Sequence, residues 1–420
     1  MRRSHLLAAA VLVSAVGIWY VRRWVRSGPE SPAASVVGDR LFDAVFSRIR
    51  SSSVDPLDDQ ELYRRAAEGV IGELDDPYAT LRFSGQPALP PQDEPLAQGL
   101  FLDRRDGLAV VVGAVAGSPA ETAGVRPGDV LLAIDTVPMD ASRLGRAPGL
   151  LEGRVGTSFT LRVRRRTPGT LPLVVRRGPL PPSDAVEAAV LGGGVGRVRL
   201  ARLGPGIEDS VRRAVTLLRE QGVRSLVLDL RGTVRGGGDV AAGAAVAELF
   251  LDPGAGLVVS RMRRASGSRP VTDSAPSPFA GMPVAVLIDG GTAGAAEVVA
   301  GALQDHDRAL VLGTVSFGRG VTQSSFSLGG GTTLTLTTAL WLTPNGRQIQ
   351  RPPRPEAGDT LPRPEVKSDA GRRLVGGGGI VPDRIIPDTT AADLVLAEAR
   401  RVLMQAGTPE KVFALLPSPR

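Results

Sequence analysis

One local pattern repeats through the second half of the sequence and restricts the fold more than any other feature. Short aliphatic runs end in Gly-containing turns, and apolar segments with helical periodicity follow them. Runs of this length between turn residues are typical of buried strands, and strands that alternate with helices form crossover units. The strand candidates are 226–231, 283–288, 310–312 and 333–340, and the helix candidates are 207–218, 240–250 and 293–303. We therefore expect an α/β core over residues 190–405, with the strand at 333–340 continuing the same sheet.

Residues 99–178 have a different character, with short alternating runs between Gly and Pro turns that predict β-structure. Within them, residues 118–131 read Ser-Pro-Ala-Glu-Thr-Ala-Gly-Val-Arg-Pro-Gly-Asp-Val-Leu, with Ser118 as a helix N-cap. This segment resembles the signature of a PDZ domain, which binds an extended peptide as an added strand. The resemblance places the peptide-binding loop at Gly99, Leu100, Phe101 and Leu102, where Phe101 replaces a usual Gly. A PDZ domain that acts only as a lid or spacer is the alternative.

The amino terminus carries an uncharged run of 16 residues at 6–21, with Arg2 and Arg3 before it and further arginines after it. This length lies between a signal-peptide core and a full transmembrane helix. We expect residues 1–26 to be an uncleaved membrane anchor, with a cleaved signal as the alternative. The chain would then belong to a bacterial-type cell envelope, anchored in the inner membrane and facing the periplasm or extracytoplasmic space, or secreted.

The remaining segments read as helices and connections. Residues 27–37 are rich in Ser, Gly, Pro and Ala and predict a linker, and 38–98 predict two helices followed by a Pro-rich linker. Residues 351–375 are expected to form a loop, and 406–420 a carboxyl-terminal tail.

Composition excludes several kinds of chemistry. The chain has no Cys, so disulfides, zinc–cysteine sites and Cys nucleophiles are impossible. Its histidines are His5 and His306, and its lysines are Lys367 and Lys411. The net charge of +7 comes from scattered arginines with few aromatics between them, so no nucleic-acid partner is expected. We expect no cofactor and no metal.

Several motifs recur in an order that resembles the carboxyl-terminal processing (tail-specific) proteases over residues 38–405. They lie at 229–232, 289–297, 301–306, 317–323, 343–350 and 376–383. The resemblance implies a multi-domain α/β (α+β) protein: an N-terminal helical segment, a PDZ β-fold and an α/β protease core of the ClpP/crotonase-like type. It also implies serine-type peptidase chemistry on polypeptide chains.

The family's dyad of Ser and Lys, assisted by Gln, maps onto this chain with both dyad residues replaced. The nucleophile position is Gly294 and the base position is Arg319, 25 residues later, whereas the assisting Gln is retained as Gln323. Glycine has no hydroxyl to acylate, and arginine stays protonated in proteins. The sequence therefore predicts a pseudoprotease.

The resemblance also assigns oxyanion donors, and the substitutions leave alternatives. The donors would be the backbone N–H groups of Ala295 and, within the Gly-rich turn at 232–238, of Gly236. Thr292 is the alternative nucleophile, although a threonine there also suits a helix cap. Arg319 would either clamp the carboxylate of a bound chain end or point to solvent.

Three functional hypotheses follow from these observations. The first is a pseudoprotease that binds unfolded or C-terminal polypeptide segments through its PDZ domain and core groove. The second is an active peptidase that uses Thr292. The third is a non-catalytic subunit that forms a homo-oligomer or regulates an active relative, with membrane contact through the N-terminal segment.

Overall fold

The computed structural model describes residues 32–415 with gaps at 56, 75, 77, 86–94, 106, 166–168, 182–183, 235–238, 263–268, 273–275, 352–363 and 388–392. The chain divides into two units, residues 1–73 and 74–420. The predicted anchor at 1–26 and the predicted oxyanion donor Gly236 lie outside the described residues.

The described residues of the first unit form two helices, α1 (Pro32–Ser52) and α2 (Asp59–Gly72). Asp58 caps α2, since its carboxylate accepts a hydrogen bond of 2.7 Å from the N–H of Glu61. Both predicted helices are confirmed, but α1 begins inside the segment expected to be a linker, because proline is tolerated in a first helical turn. In the described part of the chain, no helix has both the length and the apolar character needed to cross a membrane.

Among the described residues, the second unit holds the following strands and α-helices, in chain order. Those of residues 74–178 are β1 (Thr80–Arg82), β2 (Leu100–Arg105), β3 (Leu108–Ala114), α3 (Pro119–Thr122), β4 (Val130–Ile134), β5 (Val137–Pro138), α4 (Ala147–Leu151), β6 (Ser158–Arg164) and β7 (Thr170–Arg176). Those of residues 179–415 are β8 (Val186–Gly192), β9 (Val195–Leu200), α5 (Ile207–Glu220), β10 (Ser225–Asp229), α6 (Val240–Glu248), β11 (Gly256–Met262), β12 (Arg269–Thr272), β13 (Val284–Ile288), α7 (Ala295–Asp305), β14 (Ala309–Gly313), β15 (Val321–Gly329), β16 (Thr332–Leu342), β17 (Glu365–Lys367), β18 (Arg373–Val375), β19 (Arg384–Ile385), α8 (Leu394–Ala406) and α9 (Pro409–Ala414).

Strands β2–β7 form one antiparallel sheet in the order β2-β3-β4-β6-β7, with β5 paired to β4. Its apolar core includes Leu100 and Leu102 of β2, which pack with Leu151 of α4. Ser118 caps α3 as the sequence predicted, because its hydroxyl accepts a hydrogen bond from the N–H of Glu121. In the described part of the chain, β2 lies at one edge of this sheet.

The α/β core is built on a second sheet, in the order β19-β14-β13-β10-β9-β8, which is parallel except for β8. Alternation along β10 places Leu226 and Leu228 in a cluster with α5, α6 and α7, and Val227 in a cluster with α8. Helices therefore cover both faces, as a parallel sheet requires. Because β10 and β13 are parallel neighbours, the turns that follow them lie side by side at one sheet edge.

The expectation that 333–340 continues this parallel sheet is wrong. Strand β16 pairs with β1, β11 and β15 in a separate antiparallel sheet. The reason is local, since β15 and β16 form a hairpin whose turn contains Gly330 and Gly331, both with positive φ. The segment 351–375, expected to be a loop, ends in the β17–β18 hairpin, and the expected tail contains α9.

Candidate active site

The turns that follow β10 and β13 are joined by one carboxylate. Asp289 accepts hydrogen bonds of 2.9 Å from the N–H groups of Gly232 and Gly291. Burial raises the pKa of the Asp289 carboxyl. This carboxylate fixes the turn after β10, which would supply an oxyanion donor, against the turn that leads to position 294.

Gly294, at the predicted nucleophile position, lies immediately before α7. Its backbone has φ 60° and ψ −119°, a conformation in which any residue with a side chain is strained. Ala295 is buried and is the first residue of α7, so its N–H has no acceptor within the helix. The predicted oxyanion donor Ala295 thus has an N–H group that no residue within α7 accepts, and the preceding residue, Gly294, has no side chain.

Glu297 connects the predicted nucleophile position to the predicted base position. Its carboxylate accepts from the N–H groups of Gly294 at 2.9 Å, Gly318 at 2.7 Å and Arg319 at 2.8 Å, and from the Ser316 hydroxyl. Burial raises the pKa of the Glu297 carboxyl, whereas four donated hydrogen bonds favour its ionised form. The Glu297 carboxylate therefore links the predicted nucleophile position to the predicted base position through backbone hydrogen bonds.

Arg319 is buried and ion-paired. Its side chain is 5% exposed, and its Nη2 lies 2.8 Å from Oδ2 of Asp103, which is fully buried. Burial lowers the pKa of the guanidinium, but Asp103, together with Tyr78 and Glu297, more than offsets this, so the pKa lies above its ordinary value. The expectation that Arg319 points to solvent is wrong, because the PDZ strand β2 supplies an internal carboxylate as its partner.

Strand β2 presents alternate side chains to the PDZ core and to the segment that carries Arg319. Leu100 and Leu102 face the PDZ core, whereas Phe101, Asp103 and Arg105 face the other way. Arg105 donates to the carbonyl of Phe317 at 3.1 Å and lies 4.1 Å from the centre of its ring. The cluster around Phe101 contains Val112, Val115, Val234, Ala293 and Phe317.

The side chains of the predicted peptide-binding loop are therefore buried. Leu100, Phe101 and Leu102 are at most 3% exposed. Gly99 has φ +84°, and a Cβ there would lie 2.5 Å from Ser118, so only glycine fits. A peptide would thus meet this loop through the backbone of the β2 edge and not through these side chains.

Gln323, the retained family residue, is held near a buried tyrosine. Its Nε2 donates to the carbonyl of Tyr78 at 3.3 Å. The Tyr78 hydroxyl accepts from Nε2 of Gln350 at 3.3 Å, and Oε1 of Gln350 accepts from the N–H of Gly320 at 2.8 Å. Burial and the nearby Asp103 carboxylate raise the pKa of Tyr78. Tyr78, Asp103 and Gln350 are site residues that sequence reasoning missed, because they come from three distant parts of the chain.

Thr292, the alternative nucleophile, is fully buried. Its Oγ1 donates to the carbonyl of Leu230 at 2.8 Å and accepts from the N–H of Asp289 at 3.0 Å. It does not cap α7, whose N-cap is Gly294. His306 ends α7, about 18 Å along the helix axis from Gly294. No group of carboxylate, His or Cys side chains within the described residues is arranged to hold a metal ion.

A cleft of about 490 Å³ lies between the PDZ sheet and the α/β core. Gly232 and Asp289 form part of its wall, so it reaches the turns that surround the nucleophile position. Its charged lining comes from both sides, namely Glu121, Arg126, Arg197, Arg199, Asp229 and Arg231. The cleft is a polar opening beside the site, of a size that admits a few residues of polypeptide.

Known proteins match both halves of this architecture. Residues 194–355 match the model of peptidase family S41, and residues 110–165 match the PDZ domain model. The carboxy-terminal-processing protease of Bartonella bacilliformis is 31% identical over 318 residues, which cover 74% of this chain and 72% of that protein. The carboxy-terminal processing protease CtpA of Bacillus subtilis is 28% identical over 354 residues, which cover 82% of this chain and 74% of that protein.

A solved structure agrees with these sequence matches. The photosystem II D1 C-terminal processing protease superposes with a TM-score of 0.65 at 26% identity, covering 86% of this chain and 93% of that one. The family predicted from the motifs is confirmed by these relatives and by the observed PDZ sheet and α/β core. The chain belongs to the carboxyl-terminal processing serine proteases of peptidase family S41.

Proposed function

We propose that this chain is a pseudoprotease of its family, which binds polypeptide C-termini without cleaving them. One observation carries the proposal: the nucleophile position is Gly294, and the base position is Arg319, buried and paired with Asp103. An acyl-enzyme needs a hydroxyl, and its activation needs a group that can accept the proton. Neither residue meets its requirement.

The surroundings of the site support this proposal, because the hydroxyls of Ser316 and Thr292 are already engaged in hydrogen bonds. Ser316 donates to the Glu297 carboxylate, and Thr292 donates to the carbonyl of Leu230. Both residues are fully buried. The lysines of the chain are Lys367 and Lys411, and Lys367 lies exposed on β17. These contacts argue against a relocated dyad that uses Thr292.

Two features support the proposal that this chain binds polypeptide C-termini. The β2 edge offers backbone N–H and C=O groups to an added strand, which is how PDZ domains take a peptide. The cleft beside it leads to the turns at Gly232 and Asp289. We assign the chain ends of unfolded polypeptides as the ligand class, and the uncharged run at 6–21 leads us to place this binding at the cell envelope.

The test combines binding and cleavage in one sample. The purified full-length chain is titrated with a labelled peptide that has an apolar, free carboxyl terminus, and the same peptide with an amidated terminus is the control. We expect the free acid to bind, the amide to bind at least about tenfold more weakly because the carboxylate receives charge-assisted hydrogen bonds, and the peptide mass to stay unchanged. Equal affinity for the two peptides, or a shortened peptide, would contradict the proposal.

A further inference from the structure

We propose that Asp103 is a positioning residue that keeps the side chain at position 319 positively charged. Introducing Ser at 294 and Lys at 319 therefore does not restore base catalysis. This inference rests on the proposed function, since it concerns the same site. It concerns a third residue, 191 positions before Gly294 in the chain, and the effect of its charge on position 319.

The contact between Asp103 and position 319 is shielded from water. The two side chains are 0% and 5% exposed and meet at 2.8 Å. The other oxygen of Asp103 accepts from the N–H of Arg104 at 2.8 Å, which fixes the carboxylate towards the pocket. A buried carboxylate at this distance acts on the charge of the side chain at 319 with little screening.

The other charged and titratable groups around the pocket do not replace Asp103. Glu297 is occupied by backbone N–H groups and by Ser316, and Tyr78 is a phenol whose pKa is raised by burial. Arg105 adds positive charge on the same strand as Asp103 and is directed to Phe317. Among the described residues, Asp103 forms a buried ion pair with the guanidinium of Arg319.

The consequence for catalysis follows from charge. A lysine that acts as a base must be neutral near the working pH, which burial achieves by lowering its pKa. A carboxylate in contact has the opposite effect and favours the charged form by about 1–3 pKa units. Arginine is charged in any case, so Asp103 and Arg319 suit each other, whereas Asp103 and a catalytic lysine do not.

The Asp103–Arg319 ion pair also joins two parts of the fold. Asp103 belongs to the PDZ strand β2, and Arg319 belongs to the segment between β14 and β15 of the protease half. The base pocket therefore holds a buried ion pair that joins the PDZ strand to the segment that Glu297 ties to Gly294.

The protonation of a lysine introduced at position 319 can be measured directly because the chain has only two lysines of its own. Arg319→Lys yields a protein with three lysines, of which Lys367 and Lys411 are internal references. The full-length variant is labelled with [ε-¹³C]lysine, and the pH midpoint of each signal is followed by NMR. The matched variant is Arg319→Lys/Asp103→Asn, in which the carboxylate is replaced by an amide of the same shape.

We expect the introduced lysine to titrate above Lys367 when Asp103 is present, and at least about one pH unit lower when Asp103 is replaced. An introduced lysine that titrates below Lys367 in the single variant would overturn the inference, and this result does not depend on the second variant. Coinciding midpoints in the two variants would overturn it as well.

An activity measurement separates this inference from the proposed function. We expect cleavage of an unfolded substrate near neutral pH to be at least about tenfold faster with Gly294→Ser/Arg319→Lys/Asp103→Asn than with Gly294→Ser/Arg319→Lys, and its pH–rate profile to lie at lower pH. Equal rates and profiles in the two variants would overturn the inference and leave the proposed function intact. Cleavage by the native chain would overturn the proposed function and leave the titration to decide the inference.

Discussion

Removal of one partner of the Asp103–Arg319 pair should destabilise the protein strongly. Asp103→Asn keeps the shape of the side chain and the oxygen that accepts from Arg104, but it leaves a buried guanidinium without its carboxylate. Both side chains are at most 5% exposed, so neither water nor salt compensates for the loss. Breaking a buried pair in this way costs about 3–5 kcal/mol of the free energy of unfolding.

The same physics predicts a different result when both partners are removed. Asp103→Leu/Arg319→Met replaces the pair with apolar side chains, and such replacements are often neutral or stabilising. We therefore expect the double variant to be more stable than Asp103→Asn and close to the native chain. A surface pair provides the control: Arg373 and Glu365 are 73% and 46% exposed, so Glu365→Gln should leave the unfolding midpoint nearly unchanged.

The assay is urea unfolding followed by tryptophan fluorescence, for which the buried Trp341 is a reporter within the second unit. The unfolding midpoints of the four proteins are compared at unchanged denaturant dependence. A loss below about 1 kcal/mol for Asp103→Asn would refute the reasoning, since that is the range of an exposed pair. A double variant as unstable as the single one would refute it too.

Three further predictions concern stability. Gly294→Ser should cost about 1–3 kcal/mol in urea unfolding because φ 60° and ψ −119° strain a residue with a side chain, and an unchanged midpoint would contradict this. Glu297→Gln should cost at least about 1–3 kcal/mol in the same assay because its amide turns N–H groups towards backbone donors, and native-like stability would count against the role of Glu297. The pKa of the Glu398 carboxyl lies below its ordinary value because Arg401 and Arg384 donate to it. Its stabilising effect is full above the unfolded pKa of about 4.3 and is lost as the pH falls through the lower folded pKa, so Glu398→Gln should lower the unfolding midpoint near neutral pH but not near pH 2; equal losses at both pH values would exclude this ion pairing.

Local pattern predicted much of the fold. Helices α5, α6 and α7 and strands β10, β13 and β14 follow from apolar periodicity and Gly-containing turns, because each crossover unit is built from neighbouring sequence. The sheet that contains β16 was not predicted, since its partners β1 and β11 are distant in the chain and nothing in a local pattern selects them. Strand pairing of this kind depends on how secondary-structure elements from distant parts of the chain pack together.

The candidate site also has a part that the sequence predicts and a part that depends on packing. The spacing of the family motifs places Gly294, Arg319 and Gln323 in the chain, and the structure brings the first two together through Glu297. The Asp103–Arg319 pair spans 216 residues, so it depends on how the PDZ sheet packs against the core. One signal was present in the sequence: alternation along β2 sets Asp103 on the face opposite Leu100 and Leu102, away from the PDZ core.

The most direct measurement of the central claim is mass spectrometry of a flexible protein with an apolar C-terminal tail, incubated with the purified full-length chain. Gly294→Ser/Arg319→Lys/Asp103→Asn is incubated beside it, to show that the groove still presents a substrate to position 294. A pseudoprotease predicts an intact substrate with the native chain and a shortened one with the triple variant. A substrate shortened by the native chain would contradict the account, because Gly294 and the buried Arg319 leave no dyad to cut it.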